Sequence, residues 1–327
     1  MRDRAVTIQR EMSDLASVLD DALSAGHILP STRRNIDLLL SGAATPVAEA
    51  AVQELAAARQ WEELDDRFFK TLAFGTGGLR GRTLGKVVTQ AEQGRGGPNG
   101  RPEHPCFGTA TMNFFNVSRA VRGLIAYAKA HVGTERKPKL VFAHDSRHFS
   151  RDFAEFCARA AAELGCDAFL FESGRSTPEL SFAIRELRAD AGVVLTASHN
   201  PAHDNGFKAY FNDGAQIVEP HATAIIAEVN SIHSEIYQPL PEAEQGQVTE
   251  IGLEIDRLYM IATPADKEAA LAEVQELATQ RVIEAGGTKE GVEIVDLEAI
   301  PVQYMSGGAT RVVCRAVSDL AATEAQV

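Results

Sequence analysis

Between residues 139 and 232 the sequence alternates short apolar segments with longer amphipathic ones. The apolar segments predict strands, because each is too short for a helix and runs into polar or turn-forming residues. The longer segments predict helices that open with Ser, Thr or Pro. This pattern indicates a layered α/β domain, with sites beyond the carboxyl ends of its strands. The predicted strands are Leu140–Ala143, Ala168–Phe171 and Gly192–Leu195, and the predicted helices are Ser150–Leu164, Thr177–Leu187 and Pro220–Ile232.

The regions on either side of this pattern differ in character. Residues 1–60 are predicted to form a helical N-terminal extension that leads into the α/β domain at residues 61–237. Leu64, Phe68 and Leu72 recur every four residues, as on one face of a helix. Residues 238–327 are expected to hold a linker and an incomplete second α/β domain. The elements predicted there are a linker at Gln238–Gln247, a helix at Lys267–Ala285, a strand at Val292–Val295 and a helix-like run at Val312–Ala322.

One segment inside the α/β domain contains too many helix and strand breakers for a regular element. Gln93–Pro105 carries four glycines together with several prolines. We interpret it as a mobile loop on the surface. The alternative is a loop with a role at a site.

Charge and composition restrict the classes of partner. The 327 residues carry a formal net charge of −13, which disfavours nucleic acid and anionic membranes as main partners. A small phosphorylated molecule stays compatible, because a few local cations can bind it. Without an apolar signal segment or a stretch of membrane-spanning length, we expect a cytoplasmic protein with undetermined protein partners. Its scattered cysteines are predicted to be free thiols, at positions Cys106, Cys157, Cys166 and Cys314.

The segment TASHNP, Thr196–Pro201, follows a predicted strand and places Ser198 on a tight turn. His199 and Asn200 beside it can donate hydrogen bonds to anionic oxygens. Lys208 comes after a predicted flexible turn at residues 204–206 that can fold its ammonium back toward Ser198. These residue types suit phosphoryl transfer, which depends on positioning and charge stabilisation. The alternative is an ordinary turn with a capping serine and a surface lysine.

Two further segments are candidates for the same site. FGTGGLRG, Phe74–Gly81, lets the backbone approach a ligand closely, and Arg80 offers a planar fork for phosphate. It lacks the GK[ST] ending of a nucleotide-binding loop, and a plain glycine-rich connection is the alternative. Asp145 and Arg147 follow the strand Leu140–Ala143, where they can line a site or brace a loop through a structural ion pair. We favour the brace.

Together these motifs resemble a known family. FGTGGLRG, AHDSR (Ala143–Arg147) and TASHNP with DNGFKAY (Asp204–Tyr210) occur in the order and separation seen in the α-D-phosphohexomutases. These are the phosphoglucomutases and phosphomannomutases, and the resemblance extends from about Trp61 to Pro220. Phe68–Ala73 is similar to the longer phosphoglucomutase or phosphopentomutase-like branch. The resemblance implies that residues 61–237 form the α/β/α domain I of this family, with its phosphoserine loop.

The resemblance also implies roles for individual residues. Ser198 would carry the phosphoryl group, and His199 and Lys208 would lie beside it, with Lys208 as a general acid and base. Arg80 would line the same cleft. The implied reaction moves a phosphoryl group from the serine to a hexose or pentose phosphate and then back, through a bisphosphate. Asn200, Asp145 and Arg147 would bind substrate or brace the loop.

The implied cofactors are Mg²⁺ and a glucose 1,6-bisphosphate-type activator, and the implied partner is a small phosphorylated sugar. The phosphate on Ser198 would occupy one coordination position of Mg²⁺, because a charge of about −1.5 to −2 attracts cations. Family members bind Mg²⁺ through a D-x-D-x-D-R loop in the second domain. This sequence contains no such triplet, and Asp256-Arg257 echoes only its tail.

The sugar-recognition loop of the family's third domain and the phosphate-binding loop of its fourth domain have no counterpart here either. We therefore expect a chain that stops within the second domain and is inactive alone. The alternative to a mutase is a catalytically incomplete fragment that binds a sugar phosphate or a protein.

Overall fold

The computed structural model describes residues 15–75, 78–261, 276, 279–280, 293–304, 307–317 and 324–326. It divides into two compact units, Met1–Ile251 and Gly252–Val327. The first unit contains a helical layer and a six-stranded sheet, and it holds every candidate site residue.

The predicted helical extension is confirmed over the part that the structure describes. Its helices pack around their own apolar core, in which Leu64 and Phe68 are fully buried. Phe115, from the long helix of the α/β domain, belongs to the same core and joins the two layers. The helices of this layer are α1 (residues 15–24), α2 (Pro30–Gly42), α3 (Val47–Ala57) and α4 (Trp61–Phe68).

The sheet has the strand order β1-β5-β4-β2-β3-β6. The strands β4, β2, β3 and β6 run parallel, whereas β5 is antiparallel to both of its neighbours. The carboxyl ends of β2 and β4 therefore lie side by side at one edge, and β5 begins at that edge. The strands are β1 (Gly78–Arg82), β2 (Lys139–His144), β3 (Asp167–Phe171), β4 (Ala191–Leu195), β5 (Asp204–Phe211) and β6 (Val248–Ile251).

Helices cover both faces of the sheet, as predicted for a layered α/β domain. A Cβ on Gly192 would lie 2.4 Å from the side chain of Ile184, so this face of β4 packs on α8. The adjacent Val193 points the other way and shares a core with Phe142 and Phe153. The helices are α5 (Gln90–Gln93), α6 (Phe114–Val132), α7 (Ser150–Glu163), α8 (Thr177–Glu186) and α9 (His221–Ser231).

The pairing of β1 with β5 differs from the sequence interpretation, which placed loops at both segments. Arg80 lies opposite Gly206 and Gly78 lies opposite Lys208. Glycine is required here because the backbones approach closely. A Cβ on Gly78 would lie 1.7 Å from the Phe207 carbonyl oxygen, and a Cβ on Gly206 would lie 2.6 Å from the Thr196 carbonyl oxygen. The glycines that suggested flexible loops are glycines of tightly paired strands.

The glycine-rich segment Gln93–Pro105 is anchored to the domain, in contrast to the predicted mobile loop. Arg101 is buried, and its Nη2 donates to Asp152 Oδ1 at 2.8 Å. Its guanidinium also lies 3.9 Å from the ring centroid of Phe149. A short 3₁₀ turn at Pro98–Gly100 completes the segment.

The predicted linker at 238–247 packs against α7. Leu240 N donates to Glu163 O at 2.9 Å, and Gly246 N donates to Ala162 O at 2.9 Å. The chain then enters β6, which pairs with β3. The first compact unit therefore continues to Ile251, beyond the predicted limit at residue 237.

The second unit contains α10 (Leu253–Ile261) and an antiparallel sheet with the order β7-β8-β9. The helix-like run expected at Val312–Ala322 is wrong over its described part, since β8 extends through Gly307–Val317. Val312, Val313 and Val317 are β-branched and favour a strand, and the pairing of β8 with β7 adds backbone hydrogen bonds. The predicted helix at Lys267–Ala285 lies mostly outside the described residues. The strands are β7 (Glu293–Tyr304), β8 (Gly307–Val317) and β9 (Glu324–Gln326).

Two general expectations concern membranes and cysteines. None of the helices in the described part of the chain has the length and apolar character needed to cross a bilayer. Cys106, Cys157 and Cys166 are free and buried, as predicted.

Candidate active site

Ser198 lies on the turn that follows β4. Its φ is +55°, in the left-handed region that is uncommon for residues other than glycine. The turn is closed by local hydrogen bonds, because Ser198 N donates to Thr196 Oγ1 at 3.0 Å and Asn200 N donates to Ala197 O at 3.0 Å. Ser198 is exposed, so its hydroxyl is presented to solvent at the edge of the sheet.

Lys208 reaches Ser198 from the neighbouring strand. Its Nζ lies 2.5 Å from Ser198 Oγ, in a donor and acceptor contact. The predicted flexible turn at residues 204–206 is wrong, because these residues form the start of β5. The tight turn lies instead between β4 and β5, and Lys208 sits opposite Val194 in the sheet. Two paired strands therefore fix the distance between the amine and the hydroxyl.

The charge state of Lys208 is shifted by its surroundings. Burial lowers the pKa of the Lys208 amine below its ordinary value, and the positive charge of Arg80 lowers it further. The carboxylate of Asp145 opposes this shift. A lysine whose pKa is lowered releases its proton more readily, which suits it to acid and base catalysis.

Arg80 projects from β1 on the other side of Lys208's strand and is exposed. Its Nη1 donates to Asn200 Oδ1 at 3.2 Å, so the arginine and the Ser198 turn are in direct contact. Asn200 in turn donates through Nδ2 to Asp204 Oδ2 at 3.0 Å. The structure thus brings together Ser198, Lys208, Arg80 and Asn200, four of the residues selected from the sequence.

Arg147 braces the Ser198 turn. Its Nη1 donates to the carbonyl oxygens of Pro201 at 2.7 Å and Asp204 at 3.1 Å. Its Nη2 donates to the carbonyl oxygens of Ser198 at 2.8 Å and Asn200 at 2.5 Å. Fixed donors to four carbonyls hold the turn in one conformation, as the brace interpretation predicts.

Asp145 holds Arg147 and the start of the turn. Its Oδ2 lies 3.3 Å from Arg147 Nε and accepts a hydrogen bond from Thr196 Oγ1 at 2.5 Å. Its Oδ1 accepts from Arg147 N at 2.9 Å and from Ser150 Oγ at 2.7 Å. The carboxylate therefore ties the end of β2 to the end of β4 and to the beginning of α7.

The comparisons with known proteins concern the part of the chain that holds Ser198. Residues 106–235 match the family model described as phosphoglucomutase/phosphomannomutase, alpha/beta/alpha domain I. This part of the chain is similar to domain I of that family. The resemblance inferred from the motifs is thereby confirmed at the level of the domain.

Curated relatives of this chain include two staphylococcal phosphoglucomutases. The chain is 33% identical over 180 residues to the phosphoglucomutase of Staphylococcus epidermidis strain ATCC 12228, covering 55% of this chain and 28% of the relative. It is 35% identical over 155 residues to the phosphoglucomutase of Staphylococcus aureus strain bovine RF122, covering 47% and 24%. The chain thus spans less than a third of the length of these relatives.

Among solved structures, the putative phosphomannomutase from Thermus thermophilus is similar with a TM-score of 0.44 and 25% identity, over 61% of this chain and 37% of that one. A phosphoglucomutase/phosphomannomutase family protein from Burkholderia thailandensis gives a TM-score of 0.40 and 20% identity, over 58% and 35%.

A cleft of about 490 Å³ opens beside Ser198. One wall is the segment Asp145–His148, and the other consists of Ser198, Asn200 and Ala202. Ser146 and His148 were not selected from the sequence. The signal that could have found them is their position in HDSRH, directly after a strand and around the selected Asp145 and Arg147.

His199 is exposed next to Ser198, and the structure gives it no hydrogen bond or ion pair within the described residues. Its proximity to Ser198 follows from the sequence alone. A free imidazole at this position can donate to an anionic oxygen of a bound ligand.

The described residues contain no group of three or more His, Cys, Asp or Glu side chains placed to hold a metal ion such as Mg²⁺. The two carboxylates near Ser198 are engaged, since Asp145 accepts from Arg147 and Thr196 and Asp204 accepts from Asn200. Mg²⁺ usually takes six oxygen ligands in octahedral geometry, so these residues do not by themselves fit the ion.

Proposed function

We propose that this chain supplies the phosphoserine loop of a phosphosugar mutase. Ser198 carries a phosphoryl group and transfers it to a hydroxyl of a hexose or pentose phosphate. The observation that carries this proposal is the 2.5 Å contact between Lys208 Nζ and Ser198 Oγ, with Arg80 on the adjacent strand. The family match of domain I supports the class of reaction.

In the first transfer, the sugar hydroxyl attacks the phosphorus on Ser198. The new bond joins phosphorus to the sugar oxygen, and the bond between phosphorus and Ser198 Oγ breaks. The Lys208 amine takes the proton that leaves the sugar hydroxyl and passes a proton to the departing Ser198 oxygen, which it contacts. Its lowered pKa favours this exchange. The product is a sugar bisphosphate.

In the second transfer, the sugar presents its other phosphate to Ser198. The Ser198 hydroxyl attacks that phosphorus and gives its proton to the Lys208 amine. The departing sugar oxygen then takes a proton from the Lys208 ammonium. Arg80 and His199 stabilise the phosphoryl oxygens during both transfers. A glucose 1,6-bisphosphate-type activator would phosphorylate Ser198 by this second half-reaction. Mg²⁺ enters none of these steps, because the described residues do not fit it.

The test is the intact mass of the purified chain before and after exposure to glucose 1,6-bisphosphate. The wild type is expected to gain the mass of one phosphoryl group, and Ser198→Ala is expected to gain none. Ser231→Ala is a matched control, because Ser231 is also exposed but lies at the end of α9. A wild type that gains no mass, or a Ser198→Ala variant that gains as much, would contradict the proposal.

The second candidate function is a fragment that binds a sugar phosphate without turnover. The observation that favours it is the engaged state of the carboxylates near Ser198, which leaves no ligand set for Mg²⁺ within the described residues. Conversion of glucose 1-phosphate to glucose 6-phosphate by the purified chain would exclude it. Phosphorylation of Ser198 without such conversion is the result it predicts.

A further inference from the structure

The cleft beside Ser198 has few polar groups left to bind a ligand. The guanidinium of Arg147 has five N–H donors, and all of them face protein oxygens: four carbonyls and the carboxylate of Asp145. Arg147 is therefore saturated and cannot bind a phosphate without releasing the Ser198 turn.

Asp145 and Asn200, which also line the cleft, are engaged as well. Both oxygens of Asp145 accept hydrogen bonds from the protein. Asn200 donates to Asp204 and accepts from Arg80. Asp145 therefore has little capacity left for a ligand, and Asn200 keeps one amide N–H.

Two polar side chains of the cleft have no protein partner among the described residues. They are the hydroxyl of Ser146, which is exposed, and the imidazole of His148, which is half-buried. A half-buried imidazole without a hydrogen bond is costly unless water or a ligand satisfies it. The imidazole of His148 thus offers the cleft a hydrogen-bond donor and an acceptor that no described protein group occupies.

The backbone next to His148 adopts a strained conformation. Phe149 has a φ of +65°, which is rare for an aromatic residue, and it is almost fully buried. Arg101 holds the Phe149 ring from the glycine-rich segment, with its guanidinium 3.9 Å from the ring centroid. On the other side, His148 O accepts from Asn205 Nδ2 at 2.9 Å. Contacts on both sides therefore fix the direction of the chain at His148, and strain of this kind is typical of functional sites.

We propose that His148 is a substrate-binding residue, whose imidazole hydrogen-bonds a hydroxyl or phosphate oxygen of the sugar phosphate in the cleft beside Ser198. This inference rests on the proposed function of the Ser198 site and adds a specific binding contact to it. The Ser146 hydroxyl lies on the same wall and can contact the same ligand. Arg101 acts only through Phe149, as a positioning residue.

The experiment measures the affinity of the purified chain for glucose 6-phosphate by calorimetry. The variants are His148→Ala and the conservative His148→Gln, which keeps one donor and one acceptor. His233→Gln is the matched control, because His233 is exposed and lies outside the cleft. Loss of one hydrogen bond predicts roughly 2- to 10-fold weaker binding for His148→Ala. We expect a smaller loss for His148→Gln and no change for the control.

The outcomes separate this inference from the proposed function. Unchanged affinity in His148→Ala, with Ser198 still phosphorylated by glucose 1,6-bisphosphate, overturns the role of His148 and leaves the proposed function intact. If glucose 1,6-bisphosphate does not phosphorylate Ser198 in the wild type, that result counts against the proposed function instead. Wild type that binds no glucose 6-phosphate, although its Ser198 is phosphorylated, would also overturn the role of His148. Because the His148 side chain is partly exposed, thermal melting of both variants is expected to match the wild type.

Discussion

Asp145 Oδ2 accepts a hydrogen bond from Thr196 Oγ1 at 2.5 Å, and this contact joins the end of β2 to the turn that carries Ser198. The same threonine oxygen accepts from Ser198 N at 3.0 Å. The position of the candidate nucleophile therefore depends on a carboxylate that comes from another strand. Parallel neighbours β2 and β4 make this possible, because their carboxyl ends meet at one edge of the sheet.

The brace formed by Arg147 predicts a specific loss of stability. Lysine cannot reach four carbonyls at once, so Arg147→Lys is expected to lower the free energy of unfolding by about 2 kcal/mol. Urea unfolding measures this change, and the intact-mass assay should show slower phosphorylation of Ser198. Arg151→Lys is the control, since Arg151 forms an exposed pair with Glu155 and should cost less than about 1 kcal/mol. Equal effects of the two substitutions would show that Arg147 is not a brace.

The left-handed backbone of Ser198 predicts the order of stability of two variants. Both Ser198→Gly and Ser198→Ala remove the hydroxyl and should abolish phosphorylation. Glycine tolerates a φ of +55°, whereas alanine is strained there by about 1 kcal/mol. Thermal unfolding should therefore find Ser198→Gly at least as stable as Ser198→Ala. An alanine variant that is clearly more stable would contradict the assigned backbone conformation.

The buried ion cluster of Arg67 with Glu63 and Glu92 predicts a large effect on stability from residues outside the site. Arg67 is buried and pairs with Glu63 at 2.8 Å and with Glu92 at 2.5 Å. Arg67→Met leaves two buried carboxylates without their partner and is expected to cost about 3–5 kcal/mol in urea unfolding. Lys86→Met breaks the exposed pair with Asp66 and should cost less than about 1 kcal/mol. Comparable losses for the two variants would be inconsistent with the burial of the cluster.

The electrostatic coupling of Arg80 to Lys208 predicts a shift in pH dependence. The charge of Arg80 lowers the pKa of the Lys208 amine, so Arg80→Met should move that pKa upward, toward the ordinary value of lysine. At a given pH less neutral amine is then present, and any rise of the transfer rate with pH should move to higher pH. NMR of isotopically labelled lysine side chains measures the titration directly. A Lys208 resonance with the same titration in Arg80→Met as in the wild type would contradict the coupling. Arg95→Met is the control, because the Arg95 guanidinium pairs with Glu103, and it should leave the titration of Lys208 unchanged.

The local sequence was enough to predict β2, β3, β4 and the helices between them. Each of these elements has its own apolar period and its own start or stop signal. The exposed position of Ser198 followed from the same signals, because a serine that comes directly after a buried strand lies at the edge of a sheet.

The pairing of β1 with β5 could not be predicted in this way. Gly78 and Gly206 suggested flexible loops, and their strands are recognised only when both are placed side by side. The reach of Lys208 to Ser198 depends on that pairing. The contacts of Arg147 with four carbonyls could not be predicted from the local sequence either, because they join residues more than 50 positions apart.

The measurement that tests the central claim most directly is peptide mass spectrometry of the phosphorylated chain. The segment Ala189–Lys208 lies between two tryptic cleavage sites, and Ser198 and Thr196 are its only hydroxyl side chains. After exposure to glucose 1,6-bisphosphate, we predict a phosphoryl group on Ser198 that disappears when glucose 1-phosphate is added. A phosphoryl group on another residue, or one that stays on Ser198 in the presence of the sugar phosphate, would contradict the account.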